Sequence, residues 1–232
     1  MVDHVQFGRG KNKDCNGHGT HVAGIVAAED NKSSVVGVAP GTPLTGVKVL
    51  GCNGSGLLSD VIKGVDWVTQ NAKKPAIANM SLGGKASEAL DAAVSSSAAR
   101  GIFYAVAAGN EDKDACDVSP ARAGAGTDNG IMTTSATNRS DREASFSNFG
   151  PCVDIWAPGV NILSTKLGGG KTTLSGTSFS SPHAGGAGAL FLSTNTAATP
   201  AAVEQRIKAD SVATGTKSKN GDRIQRVNAT SY

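Results

Sequence analysis

Apolar side chains recur with a helical period in residues 57–68. The spacing of about 3.6 residues places them on one face of a predicted α-helix: Leu57, Leu58, Val61, Ile62, Val65 and Val68. The flanking stretches, residues 43–50 and 76–82, are short and rich in apolar residues, which predicts strands. A strand, a helix and a second strand therefore follow one another here.

A second helix is predicted over residues 87–100. Glu88 and Asp91 lie in its first turn, where the helix dipole favours negative charge, and Gly101 ends it. The next apolar stretch, residues 102–108, is predicted to be a third strand.

Later segments continue this pattern. Two further strands are predicted, over residues 131–136 and 153–157. Residues 161–175 fit a β-hairpin that turns at three consecutive glycines. The last helix is predicted to begin with Thr199 as its N-cap and Pro200 as its first residue.

Strands and helices therefore alternate along most of the chain. This alternation favours an α/β fold with a parallel sheet that helices cover on both faces. Because we find no internal repeat, long linker or low-complexity tail, we expect residues 1–232 to form one domain.

The composition is that of an ordinary globular domain. With 39% hydrophobic and 18% charged residues, a net charge of +3 and no block of lysines or arginines, nothing favours a nucleic acid or a membrane surface as partner. No apolar run reaches the ~18 residues of a membrane span. Residues 1–4 do not fit a signal peptide, so we expect either that one is removed or that the chain begins partway into its gene.

Four cysteines, Cys15, Cys52, Cys116 and Cys152, lack the paired short spacings of a zinc site. Their spacing alone leaves two interpretations open. They form either two disulfides in an extracellular protein or four reduced thiols in the core.

Three short motifs contain residues suited to catalysis. In the first, residues 16–24, His18 lies between two glycines that leave its ring accessible. A structural role for His18 is the alternative. His18 and His21 also have the spacing of a metal-binding pair, although the sequence shows no third ligand nearby.

The second motif spans residues 174–183. Gly176 permits a sharp bend, and Ser178 stands where a helix is predicted to begin. Ser178 is therefore either an N-cap or a nucleophile whose neighbouring N–H groups stabilise an oxyanion. Ser180 replaces the second glycine of the G-x-S-x-G elbow, which argues against an esterase.

The third motif, residues 105–110, ends a predicted strand with Gly109 and Asn110. Asn110 is either a turn residue or a side-chain donor to an oxyanion, a role worth about 3–4 kcal/mol. The three motifs in this order are a stronger indication of acyl transfer than any one alone.

Together with the Ser-Leu-Gly-Gly at residues 81–84, the motifs GHGTHVAG, AAGN and GTS-x-x-x-P-H resemble the subtilase family, in particular its proteinase K branch and aqualysin-like bacterial members. The resemblance covers about residues 14–210. It implies a three-layer α/β fold with a mostly parallel central sheet flanked by helices. It also implies a serine endopeptidase that works through an acyl-enzyme.

The resemblance gives each motif a role: His18 is the general base, Ser178 is the nucleophile, and Asn110 forms the oxyanion hole with the Ser178 N–H group. It implies a substrate held in extended form, with an apolar or aromatic P1 side chain. The implied substrate-binding residues are Gly54, Ser55, Gly56, Ser81, Leu82, Gly83, Gly84, Ala107, Ala108 and Gly109. The implied partners of this monomeric enzyme are polypeptides and an inhibitory N-terminal propeptide.

The resemblance further implies the disulfides Cys15–Cys52 and Cys116–Cys152, worth roughly 3–4 kcal/mol each, and hence secretion. Asp154 matches the position of a calcium-ligating aspartate, which implies a structural calcium ion. The chemistry itself requires no cofactor.

The chain departs from the family at the acid of the triad. Subtilases place Asp-Thr-Gly or Asp-Ser-Gly before the histidine, and no such tripeptide precedes His18. We expect the chain to begin just after that aspartate, without the propeptide or the strand that carries the acid. Asp3 and Asp14 are poor substitutes. Asp66 and Asp154 lack a motif that would orient the histidine.

Two functions of different classes follow from this gap. The first is a working endopeptidase, and the second is a catalytically impaired fragment that keeps peptide binding. Loss of the acid lowered kcat about 3 × 10⁴-fold in a subtilisin. A zinc hydrolase is a third alternative.

Overall fold

The computed structural model describes residues 3–8, 10–32 and 35–232. Within them the helices are α1 (His18–Ala27), α2 (Leu58–Asn71), α3 (Glu88–Ala99), α4 (Ser181–Thr194) and α5 (Pro200–Ala209). The strands are β1 (Asp3–Gln6), β2 (Thr45–Lys48), β3 (Ala76–Met80), β4 (Gly84–Lys85), β5 (Ile102–Ala107), β6 (Val118–Ser119), β7 (Ile131–Thr137), β8 (Ile155–Pro158), β9 (Ile162–Thr165), β10 (Lys171–Leu174), β11 (Val212–Lys217) and β12 (Arg223–Arg226).

The central sheet has six strands in the order β11-β12-β8-β7-β5-β3. Neighbours from β12 to β3 run parallel, and β11 is antiparallel to β12. All six residues of β5 are buried, as expected for a parallel strand that is covered on both faces. The predicted α/β class with a mostly parallel sheet is therefore confirmed.

Side chains of β5 alternate between two hydrophobic cores. Ile102, Tyr104 and Val106 pack with α2 and α3 on one face of the sheet. Phe103 and Ala105 pack with α4 and α5 on the other face. This alternation follows from the two-residue period of a strand and produces the three layers.

Smaller sheets lie outside the central one. β1 and β2 form a parallel pair, and β4 pairs with β6. β9 and β10 form the predicted hairpin. Its turn contains three glycines, residues 168–170, all with positive φ, a conformation that other residues adopt only with strain.

The predicted helices α2, α3 and α5 are confirmed. Ser87 caps α3 by accepting a hydrogen bond from the Leu90 N–H at 3.4 Å. Thr199 caps α5 in the same way through the Ala202 N–H at 3.2 Å. Among the described residues, no helix is long and apolar enough to cross a membrane.

One predicted helix start was wrong, and several strands were missed. Ser178 lies in a 3₁₀ turn, Thr177–Phe179, and α4 begins only at Ser181. β11 and β12 were missed because β11 is mostly exposed and polar, so it carries little hydrophobic pattern. β1 was also missed, since a four-residue strand gives a weak signal.

Both predicted disulfides are present in the structure. Cys15–Cys52 joins the segment before α1 to the loop after β2. Cys116–Cys152 joins the short 3₁₀ turn after β5 to the segment before β8. The first link restrains two chain segments that line the cavity described next.

Candidate active site

A cavity of about 1160 Å³ opens beside the carboxyl end of β3 and the first turn of α1. Its lining includes most of the residues that the sequence singled out: His18, Gly54, Ser55, Gly56, Ser81, Leu82, Gly83, Gly84 and Ser178. The fold therefore brings together two motifs that lie 160 positions apart in the chain.

His18 is the first residue of α1 and follows Gly17, which has a φ of 100°. The Asp14 carboxylate holds this turn by accepting hydrogen bonds from the backbone N–H groups of Asn16, Gly17 and Thr20, at 2.8–2.9 Å, and from the Thr20 hydroxyl at 2.6 Å. Burial opposes ionisation of Asp14, but these hydrogen bonds lower its pKa to about 2. Asp14 therefore positions the turn that presents His18.

Ser178 lies in the 3₁₀ turn between Gly176 and α4, and it is half-buried. Its hydroxyl donates to the Ser81 carbonyl oxygen at 3.3 Å. In return, the Ser81 hydroxyl donates to the Ser178 carbonyl oxygen at 2.6 Å. The Asn79 side-chain amide donates to the Ser81 hydroxyl at 2.9 Å. These contacts fix the backbone of Ser178 against the end of β3.

Asn110 follows β5, outside the residues that line the cavity, but it contacts the turn that carries Ser178. Its Oδ1 accepts from the Thr177 N–H at 2.8 Å and from the Thr177 hydroxyl at 3.0 Å. These two bonds leave the Nδ2 donor directed away from Thr177. A Cβ built on Gly176 would lie 3.7 Å from that Nδ2 atom, so the donor faces the bend just before Ser178.

The strand end at 107–109 is tightly packed rather than open. Ala107 and Ala108 are buried. A side chain at Gly109 would approach within 2.2 Å of the Asn148 amide, so only glycine fits there. The Gly109 N–H donates to the Thr177 hydroxyl at 3.1 Å, which adds a second link between the two motifs.

The contributions of Thr177 and of the Ser81 side chain were missed by sequence reasoning. Thr177 orients Asn110, and the Ser81 hydroxyl anchors Ser178. Both residues lie within the sequence motifs described above, so their place in a motif was the signal that could have identified them. Their roles depend on contacts between residues 67 and 97 positions apart, which spacing does not reveal.

His21 does not form a metal pair with His18. It is fully buried, and its Nε2 lies 3.1 Å from the Ile162 carbonyl oxygen, so it links α1 to β9. Among the described residues, no group of three or more His, Cys, Asp or Glu side chains could hold a metal ion in the chain as it stands.

Asp154 contacts a lysine. Its Oδ1 lies 2.7 Å from the Lys208 ammonium, and its Oδ2 accepts from the Thr133 N–H at 2.7 Å. Burial raises the pKa of Asp154 to about 7, although the charge of Lys208 opposes the rise. These contacts do not fit a calcium ion bound through Asp154, because a cationic side chain already faces the carboxylate.

The carboxylate that would orient His18 is not found among the described candidates. Asp14, whose charge acts on His18, is committed to the α1 turn. Asp3 is exposed and accepts from the His4 N–H. Asp66 lies inside α2.

Two strand edges border the same cavity. β2 is the edge of the two-stranded sheet, and β3 is the edge of the central sheet. Residues 46–49, in and after β2, and Asn79 of β3 all line the cavity, as does His18. The space between the two edges is therefore part of the cavity that His18 and Ser178 line.

The pKa of His18 bears on the pH dependence of any activity. Burial lowers this pKa below its ordinary value of 6.5, and the Asp14 charge only partly opposes the effect. A lowered pKa keeps the imidazole neutral, and so able to act as a base, at more acidic pH. We therefore expect the acid limb of kcat/KM to lie below pH 6.5 in peptide-hydrolysis assays.

The control for this prediction is a thermal melt at each pH, which excludes unfolding as the cause of the limb. A limb above pH 6.5 in the folded protein would contradict the prediction. It would also indicate that a carboxylate stabilises the imidazolium.

Comparisons with known proteins agree on one family. A sequence profile of the subtilase family matches residues 3–227. The chain is 50% identical over 194 residues to alkaline serine exoprotease A of Vibrio alginolyticus, covering 84% of this chain and 34% of that protein. It is 50% identical over 196 residues to an extracellular serine proteinase of Thermus sp. strain Rt41A, covering 84% of this chain and 45% of that protein.

The fold also matches a solved structure. The crystal structure of a cold-adapted subtilisin-like serine proteinase superposes with a TM-score of 0.88 at 41% identity, covering 98% of this chain and 81% of that one. The chain spans less than half the length of the two curated relatives.

Proposed function

Because the chain belongs to the subtilase family, we propose that it is a secreted serine endopeptidase that cleaves extended polypeptides through an acyl-enzyme. The observation that carries this proposal is the arrangement around Ser178. Ser178 and His18 line one cavity, and Asn110 is held against the residue just before Ser178.

We propose that His18, Ser178 and Asn110 together carry out acyl transfer. His18 accepts the Ser178 proton while the Ser178 oxygen attacks the scissile carbonyl carbon. The carbonyl oxygen gains the negative charge and accepts hydrogen bonds from Asn110 Nδ2 and the Ser178 N–H group. His18 then protonates the leaving amine as the C–N bond breaks, and water hydrolyses the acyl-enzyme by the same steps.

The walls of the cavity suit a peptide without demanding one sequence. Residues 54–56 and 81–84 both line it. An extended peptide between two such segments gains main-chain hydrogen bonds that do not depend on its side chains. A Cβ at Gly84 would meet nothing within 4 Å, so there is open space at this wall. We propose broad specificity with an apolar or aromatic P1 residue.

We propose that the missing acid enters between β2 and β3. Within the described residues, β2 and β3 each have one edge without a neighbouring strand, and both contribute residues to the cavity that His18 lines. One additional parallel strand would satisfy both edges, and a carboxylate at its carboxyl end would meet His18. That strand would come from a segment outside these 232 residues or from a separate chain.

Secretion and the working state are parts of the same proposal. The two disulfides support an oxidising, extracellular environment. We propose a monomer that an N-terminal propeptide inhibits before maturation.

The alternative is a catalytically impaired subtilase fragment that still binds peptides. It is supported by the commitment of Asp14 to the α1 turn, since no other carboxylate is found to orient His18 in the part of the chain that the structure describes.

Active-site labelling tests the proposal. The full chain is treated with a fluorophosphonate, its intact mass is measured, and the adduct is mapped by peptide digestion. We expect one adduct at Ser178, which phenylmethylsulfonyl fluoride blocks, because the proposal makes His18 its base and Asn110 its oxyanion donor. A heat-denatured sample is the control and should not react. A folded sample that takes up no label would exclude a working protease and leave the fragment.

A further inference from the structure

Three carboxylates converge on one ammonium at the amino end of the central sheet. The Lys208 Nζ lies 2.6 Å from Glu204 Oε1, 2.7 Å from Asp154 Oδ1 and 3.0 Å from Asp128 Oδ1. These four residues are called the Lys208 cluster below. Such distances are typical of charge-assisted hydrogen bonds.

The backbone uses the remaining oxygens of the two most buried carboxylates. Glu204 Oε2 accepts from the Asn129 N–H at 2.9 Å and from the Gly130 N–H at 2.8 Å. Asp154 Oδ2 accepts from the Thr133 N–H. The side chains of Glu204 and Asp154 are only 0% and 8% exposed, so neither charge can turn to bulk water.

The cluster fastens one helix to the sheet. Glu204 and Lys208 lie one turn apart on α5. Asp128 lies in the loop before β7, and Asp154 immediately precedes β8. Ser81 and Asn110 follow the carboxyl ends of β3 and β5. The cluster therefore lies at the amino ends of the parallel strands, opposite the catalytic groups.

We propose that Lys208 is the built-in cation of this cluster and replaces the calcium ion that the family resemblance implied at Asp154. Calcium takes oxygen ligands at about 2.3–2.6 Å and favours clustered carboxylates. The ammonium already stands at the point where the three carboxylates meet, so calcium and Lys208 exclude each other. The attachment of α5 therefore needs no metal.

If Lys208 occupies the place of a calcium ion, its removal should allow calcium to bind, which would not be expected of a lysine that only joins α5 to the sheet. Removing the ammonium leaves three carboxylates directed at an empty space, two of them held in place by backbone N–H groups. That arrangement supplies the charge and the oxygen ligands that calcium prefers. Lys208→Ala should therefore create a calcium site that the natural chain lacks.

The test compares melting temperatures of the full chain in EDTA and in millimolar calcium. Lys208→Ala should lower Tm in EDTA by about 10 °C, because it leaves buried charges uncompensated, and calcium should restore at least half of the loss. The double variant Lys208→Ala, Asp154→Asn should not regain this stability. Lys63→Ala, which removes an exposed lysine paired with Asp60, is the matched control and should show the calcium response of the natural chain.

Two outcomes would overturn the proposal. One is a Lys208→Ala variant with no larger calcium response than the natural chain. The other is a calcium response of the natural chain that Asp128→Asn abolishes, which would show that calcium binds beside Lys208. If Lys208→Ala folds neither in EDTA nor in calcium, the natural chain is compared with Asp128→Asn instead. A calcium-dependent rise in Tm that Asp128→Asn leaves unchanged then supports the proposal.

Discussion

Replacing Ser178 by alanine is expected to lower kcat for peptide hydrolysis about 70-fold in this chain, and the size of the loss reports whether His18 has an acid partner. In a subtilisin, loss of the nucleophile costs about 2 × 10⁶ in kcat and loss of the acid alone about 3 × 10⁴. In a chain that already lacks the acid, loss of the nucleophile can lower kcat further only by the ratio of these two values. That ratio is about 70-fold, or roughly 2.5 kcal/mol. The same substitution should cost about 2 × 10⁶ once a carboxylate is supplied to His18.

Steady-state hydrolysis of a peptide with an aromatic P1 residue measures this effect. His18→Ala should give the same loss as Ser178→Ala, because the two groups act as one unit. Ser193→Ala, an exposed serine on α4, is the control and should leave kcat unchanged. An unchanged kcat in Ser178→Ala would remove Ser178 from the mechanism. A loss near 10⁶ would show that an acid is already present.

Replacing Asn110 by aspartate should lower kcat by about 10²–10³ with little change in KM. The substitution keeps the oxygen that accepts from Thr177 but removes the Nδ2 donor that faces the bend before Ser178. Because the donor acts on the charge that develops in the transition state, its loss affects kcat and not substrate binding, by about 2.7–4 kcal/mol.

Steady-state kinetics and a thermal melt distinguish this role from a structural one. Asn110→Ala should lose as much kcat and also some stability, because it removes the contact to Thr177 as well. Asn71→Asp, at an exposed position of α2, is the control for the added charge. A rise in KM with an unchanged kcat in Asn110→Asp would refute the oxyanion role.

Much of the fold was predictable because it depends on neighbours in the chain. The period of apolar residues predicted α2, the acidic residues Glu88 and Asp91 predicted the first turn of α3, and the Thr199 cap predicted where α5 begins. The motifs around His18, Ser178 and Asn110 predicted the family, which the comparisons show. In each case a few adjacent residues determine the backbone conformation or carry the motif.

Other features were decided only by the tertiary structure. Sequence reasoning proposed calcium at Asp154, whereas the folded chain brings Lys208, 54 positions later in the chain, to that carboxylate. The orientation of Asn110 depends on Thr177, and the anchoring of Ser178 depends on Ser81.

The difference between these two groups has one physical reason. Caps, turns and amphipathic periods are set by interactions over a few residues, so the sequence by itself determined α2, α3 and α5, the motifs and the family. Which side chain satisfies a buried charge or amide depends on which elements pack together, because a buried polar group takes whatever partner the packing brings within about 3 Å. The partners of Asp154, Asn110 and Ser178 were therefore decided by the fold.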